Sequence, residues 1–324
     1  MGRLSRALIW IGKSLAVLVA IVVLNFCLIR LAPGDPATVL AGEAGASDPH
    51  VLAEIRQQYG LDRPLPEQLA IYLRAVVSLD LGFSYRNQRP VADMILERLP
   101  ATLLLTGSAF LFALAIGIAL GSAAARRVGR WVDSAISVAG LVFYAMPIFW
   151  IGLLFVLLFS VALGWLPPFG MRSMIPPEGA AARSLDVAAH LVLPALTLGL
   201  FYVAVYARLT RSSMLEVQHY DYIRTARAKG LPEGRIVRAH ILRNALLPVI
   251  TIAGIQAGQL VGGAIVVETV FAWPGIGRLA FDGLLQRDYN LLLGIFVICS
   301  VMVIFFNMLT DIALSIADPR IGAS

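Results

Sequence analysis

Charge is what this sequence has least of. Of its 324 residues 14% are Asp, Glu, Lys or Arg and 59% are hydrophobic, where a soluble domain carries about 25% charged residues. That excludes an ordinary soluble globule, and with it a disordered chain. There are two cysteines, Cys27 and Cys299, each inside an apolar run. They read as small buried hydrophobes rather than a disulfide framework. The four histidines, His50, His190, His219 and His240, are scattered without metal-ligand spacing. No nucleophile and base can be paired by spacing, so the chain reads as non-catalytic. Ala7-Leu8-Ile9-Trp10-Ile11-Gly12-Lys13-Ser14 fits a relaxed phosphate-loop pattern. It opens an apolar run with no strand or glycine-rich turn before it, so it is read as coincidence. Neither a bound cofactor nor a metal site is expected in this chain. The net charge of +6 is spent on membrane orientation rather than on nucleic acid, as its placement shows.

What is present is six apolar runs, each long enough for a span of about 20 residues: 8–29, 101–125, 135–163, 187–207, 245–267 and 291–316. The third contains Pro147 and the fourth Pro194, which kink a lipid-embedded helix without ending it. On one side lie the N-terminus, the segments after the second and fourth runs, and the C-terminus. Together they hold 15 basic and 5 acidic residues, and the other side holds 11 basic and 14 acidic, with Asp311 inside the sixth run. The basic side is expected to be cytoplasmic, with both termini inside. The first run resembles a signal peptide, with Arg3 and Arg6 before an apolar core. It lacks a small-x-small cleavage site and is read as an uncleaved span. The fold class is therefore an all-α polytopic membrane protein with six transmembrane helices. It divides into residues 1–30 (N-terminal region and first span), 31–100 (an extracytoplasmic helical segment) and 101–324 (a core of five spans).

Within 31–100, Asp48-Pro49 offers a helix start and Gly60 a stop. Pro66 opens a second helix with Leu69, Leu73, Val76 and Val77 on one face. Pro90 opens a third with Val91, Met94, Ile95 and Leu99. These short amphipathic helices are expected on the outer membrane face, as a cap over the spans or a dock for an external partner.

Gly254, Gly258 and Gly262 recur every four residues in the fifth span, as Gly117 and Gly121 do in the second. Such stripes let helices approach closely. Gln256 and Gln259 flank the first stripe and either line a polar route or bond between helices. The ionisable residues nearest the membrane, Glu268 and Asp311, lie close to span ends. A carrier driven by protons or sodium usually has carboxylates at the midplane, so the energy is expected from elsewhere.

The segment 208–244 is the most informative. It is basic, with Arg208, Arg211, Arg224, Arg227, Lys229, Arg235, Arg238 and Arg243. Asp221 is expected to cap a short helix that Gly230 ends. Pro232-Glu233-Gly234 is read as a break, and a second helix runs from Arg235 into Pro248. The plain reading of this helix–turn–helix is a basic loop on the membrane surface. Arg224-Thr225-Ala226, three residues, then Gly230 resembles the coupling segment of binding-protein-dependent ABC importer permeases. The family's usual Glu-Ala-Ala is replaced here by the form typical of the dipeptide, oligopeptide and nickel branch. Asn244-Ala245-Leu246-Leu247-Pro248, Leu31-Ala32-Pro33-Gly34-Asp35-Pro36, Asp80-Leu81-Gly82-Phe83-Ser84, the segment 268–277 and Asp318-Pro319-Arg320 resemble that branch too. The long segment after the first span is typical of its B-type subunit.

The resemblance implies a type I importer permease. Its partners would be a sister permease, two ATPase subunits that use ATP and Mg, an extracytoplasmic binding protein and membrane lipid. It implies that Asp221, Arg224, Thr225, Ala226, Arg227, Lys229 and Gly230 meet an ATPase. Ala226 and Gly230 would allow close contact there, and Arg227 and Lys229 would pair with acids. Glu268, Phe271, Trp273 and Pro274, with Gln256 and Gln259, are expected along the route or at its outer gate. The segment 268–277 is read either as contacting substrate or binding protein or as a structural re-entrant cap. The cargo implied is di- or oligopeptides, with nickel chelates or glutathione as alternatives on the same fold. An ion-coupled secondary carrier and a membrane scaffold or enzyme are the readings from other classes.

Overall fold

The computed structural model describes residues 12, 16–27, 50, 53, 56, 57, 62–78, 80–84 and 86–317, without the side chains of 259–263, 311 and 313–317. The phosphate-loop-like stretch apart from Gly12, the motif at 31–36, Asp48-Pro49, Gly60 and the motif at 318–320 lie outside the described residues. Within the first expected span the described part is the helix Ala16–Cys27 (α1).

The chain divides into two compact units, one of residues 1–100 and 275–304, the other of 101–274 and 305–324. In the first, α2 (Leu65–Val77) starts behind Pro64 with Pro66 in its first turn, where a missing N–H costs nothing. A two-residue antiparallel ribbon follows, β1 (Phe83–Ser84) against β2 (Arg89–Pro90), with Phe83 opposite Pro90. The expected third short helix is not separate. It is the opening of α3 (Val91–Ala125), one 35-residue helix that runs through Pro100. Val91, Met94 and Ile95 are buried, as their spacing predicts, and Gly294 packs against Val91 and Ile95.

The second unit is a helical bundle. After α3 come α4 (Trp131–Ala145), α5 (Ile148–Phe155, continued as π-helix Val156–Ala162) and α6 (Ala180–Val217). The single span expected at 135–163 is two helices bent by 106°. Pro147 has no N–H to donate, and it pushes Met146 into extended backbone (φ −79°, ψ 139°). Next are α7 (Asp221–Ala228) and α8 (Glu233–Ile236), continued through π-helix Val237–Leu242 into α9 (Arg243–Val270). α10 (Ile276–Gln286) and α11 (Tyr289–Ala317) complete the chain.

Among the described residues four helices are long and apolar enough to cross a membrane, and the bent pair makes a fifth if counted as one span. α6 is the hub of the second unit, packed on α4, α5 and α9. Gly117 and Gly121 bring α3 onto it. A Cβ at Gly117 would stand 2.6 Å from that of Tyr206, and one at Gly121 would meet the Ala207 carbonyl. Gly121→Leu should therefore cost about 1–3 kcal/mol by overpacking, measured as a lower melting temperature in detergent. Leu141, Leu153, Leu157, Val161 and Phe305 stay exposed on the isolated chain, as side chains facing lipid or a neighbouring subunit do.

Candidate functional site

The basic segment folds onto the end of α6. Met214 and Val217 close that helix facing inward, and Tyr220, in extended backbone, starts α7. Asp221 is therefore the first residue of α7 rather than its cap. Its carboxylate lies 3.5 Å from Arg224 in the open. The end of α7 follows from Gly230, whose φ of +73° is accessible to glycine without a Cβ penalty. The Gly230 N–H donates to the Arg227 carbonyl at 2.9 Å and the Leu231 N–H to that of Ala226 at 3.3 Å. This is the paired arrangement that closes helices on a left-handed glycine.

An eight-residue helix is not stable alone in water. This one is held by Ile223 and Ala226, one turn apart on its inner face. They sit in a cluster with Ala125, Met214, Val217, Ile236, Ile241 and Ala245. Ala226 is 7% exposed, which corrects its expected place on a partner surface: the small side chain lets α7 lie down on its own chain. Arg227 is likewise engaged within the chain. It forks onto Glu233 at 2.8 and 3.3 Å, clamping α7 to α8. Because Glu233 opens α8, Pro232-Glu233-Gly234 is a helix start more than a break. All of 221–230 apart from Ile223 and Ala226 is exposed, with Asp221, Tyr222, Arg224, Thr225, Lys229 and Gly230 facing out. Behind that face one apolar cluster joins α7 to the ends of α3, α6 and α9.

The residues expected at an outer gate are brought together, but inside. Thr102 donates to Glu268 at 2.8 Å, and the Trp273 indole N–H donates to the Ala101 carbonyl at 2.8 Å. Glu268 and Trp273 have no exposed surface and Phe271 has 1%. The Phe271 ring packs over Gly152, where a Cβ would stand 3.1 Å from it, and its carbonyl accepts from the Gly170 N–H at 2.8 Å. Substrate or a binding protein cannot touch Trp273 or Phe271 in this conformation. Trp273 ties the segment after α9 to the start of the bundle part of α3, and Phe271 ties it to α5 and the Gly170 turn. Pro274 is half-buried. Gln256 is half-buried, and its Oε1 has no hydrogen-bond partner among the described residues. Gly258 is buried. Gly254 lies so close to Thr310 that a Cβ would overlap its side chain. Gln259 and Gly262 continue α9, and their surroundings are not described.

Sequence reasoning missed two polar sets. Arg211 forks onto Asp133 of α4 at 2.6 and 2.9 Å. Its basic neighbours made it look like one more surface charge. In the first unit, Ser84 and Asn87 both donate to Asp288, which caps α11 through the Leu291 N–H at 3.0 Å. The helix α10 was missed too, although Ile276, Leu279, Ala280 and Gly283, all buried, repeat at helical spacing.

A family model described as the inner membrane component of binding-protein-dependent transport systems matches residues 117–323. A companion for the N-terminal part of such membrane components matches residues 6–106. The chain belongs to this family. The permease is 41% identical to the di/tripeptide transport system permease protein DppB of Pseudomonas aeruginosa, over 96% of each chain. It is 39% identical to the dipeptide transport system permease protein DppB of Escherichia coli K12, again over 96% of each. A putative peptide transport system permease of Brucella abortus is 40% identical, with the same coverage. Among solved structures, a chain of the MetNI methionine ABC transporter in an inward-facing conformation superposes with a TM-score of 0.55. Identity is 20%, over 69% of this chain and 96% of that one, so the two share a fold. The permease is a multi-pass inner membrane protein with an ABC importer permease fold.

Proposed function

We propose that the permease is one of two transmembrane subunits of an ATP-driven importer, forming with a sister permease the path for di- and oligopeptides handed over by an extracytoplasmic binding protein. The observation that carries this is about 40% identity along nearly the whole chain to relatives named as dipeptide and di/tripeptide permeases. The inward-anchored, outward-charged α7 supplies what such a machine needs. Six spans with both termini cytoplasmic follow from the charge asymmetry. They place α7 and the arginine-rich turn before α4 on the inner side, and 31–100 outside as a segment distinct from the 101–324 core. ATP and Mg belong to two separate ATPase subunits. Their approach on binding ATP pushes the exposed face of α7, and the apolar cluster behind it carries the motion into the spans. The chain itself binds no cofactor and makes or breaks no bond.

The test is uptake of radiolabelled dialanine by cells with and without the gene. Uptake should need the gene, stop when ATP is depleted, and persist when the proton gradient alone is collapsed. Loss on gradient collapse with ATP intact would establish an ion-coupled carrier instead. Gene-dependent uptake of a nickel chelate or glutathione but not of dialanine would move the cargo assignment.

A further inference from the structure

Arg208 stands on α6 one turn before Arg211, and the two arginines have different fates. Arg211 is neutralised by Asp133. Arg208 makes no ion pair among the described residues, and its guanidinium carbon lies 5.8 Å from the centre of the Tyr144 ring. Tyr144 in turn stacks on Phe201, with centroids 5.1 Å apart and planes 17° apart. Asp133 is in the first turn of α4 and Tyr144 in its last. On the proposed topology Asp133 stands at the inner edge, and Tyr144, farther along the same helix, lies about 16 Å deeper, near the middle of a hydrocarbon core about 30 Å thick. Long side chains on a helix lean toward its N-terminus. For Arg208 that direction is into the membrane, toward Tyr144 and the break at Pro147, rather than back to the inner surface.

A guanidinium drawn from the inner surface toward the membrane interior is costly to set against lipid and belongs on a water-filled route or against protein. Here it is exposed, as is Tyr144, on the α6 face that also carries Phe201 and Val205, both half-buried. Broken helices at mid-membrane are where transporters hold cargo. A peptide always carries a carboxylate at its C-terminus. The guanidinium fork matches that group with two parallel hydrogen bonds, and a stacked pair of rings takes an apolar side chain next to it.

Resting on the peptide-importer reading, we propose that Arg208 with the Tyr144–Phe201 stack is a station on the translocation path. It takes the C-terminal carboxylate of the passing peptide on the guanidinium and the last side chain on the rings. Because the neighbouring Arg211 is already paired, Arg208 carries the one uncompensated charge of this trio. A single such contact is weak enough to release cargo onward.

The experiment uses cells with the complete transporter and its binding protein. They are given radiolabelled trialanine for rates and a tripeptide ending in photo-reactive leucine for contacts. In the wild type, light during turnover should label residues around Tyr144 and around 201–208, mapped by mass spectrometry. Arg208→Gln should cut trialanine uptake about tenfold or more, the loss of a charge-assisted hydrogen bond. Its amount in the membrane should be normal and the labelling lost, and Arg208→Lys should restore part of both. Wild-type import with unchanged import by Arg208→Gln overturns the site and leaves the importer standing. Wild-type cells that import no peptide overturn the peptide reading and the site together. If Arg208→Gln fails to assemble, and Arg208→Lys assembles but shows no label on α4 or α6, Arg208 is a contact to the neighbouring subunit and the proposal is overturned.

Discussion

Cells producing the Gly230→Asp permease should hold it in the membrane in normal amount and import no peptide. Two features of Gly230 separate folding from function. A Cβ built there meets nothing within 4 Å, so the chain has room for a side chain. The φ of +73° lies where aspartate is among the more tolerated residues after glycine, at a cost of about 1–2 kcal/mol. The rest of the effect falls on whatever docks against the exposed end of α7. A carboxylate there stands beside Arg224 and Lys229 and faces the acidic groups those two would pair with, and like-charge juxtaposition at an interface costs several kcal/mol. At 1.4 kcal/mol per tenfold, import should drop by about a hundredfold or more. Immunoblotting of membranes and peptide uptake measure the two halves. Gly230→Ala should add comparable backbone strain without charge, and should import at a reduced but measurable rate.

The second large effect is structural. Trp273→Ala should lose about 3–5 kcal/mol of stability, as truncation of a fully buried tryptophan does, and it also leaves the Ala101 carbonyl without its indole donor. The expected outcome is little permease in the membrane and a collapsed melting transition in detergent. Trp273→Phe keeps most of the volume and loses only the hydrogen bond, so it should survive, destabilised by about 1–3 kcal/mol. If Trp273→Ala instead gives a stable protein with defective handover from the binding protein, Trp273 touches a partner after all and the buried-weld account is wrong.

Long apolar periodicity made α3, α6, α9 and α11 legible in the sequence, because composition alone sets which segments can live in lipid. The turn at Gly230 was legible because the left-handed region it occupies strongly favours glycine. Three things were hidden for physical reasons. Pro147 announces a disturbance, but whether it kinks a span or folds it by 106° depends on what neighbouring helices supply. Ala226 looked like a contact residue because small side chains serve close approach on either side of a helix; the side it takes is set by Met214, Val217 and Ile236, distant or non-adjacent in sequence. Trp273 at a span end looked like part of an outer gate, and its partner is a backbone carbonyl at Ala101, which no side-chain pattern can signal. The Asp133–Arg211 pair was hidden in the same way, since its members stand 78 residues apart.

The central claim is that α7 is the surface a separate ATPase pushes. A photo-crosslinking amino acid placed at Thr225, exposed on that helix, tests it most directly. Irradiated membranes from cells with the complete transporter should yield a covalent adduct between the permease and an ATPase subunit, and ATP should alter its yield. A permease that crosslinks only to lipid or to itself, in membranes that import peptide, would contradict the account.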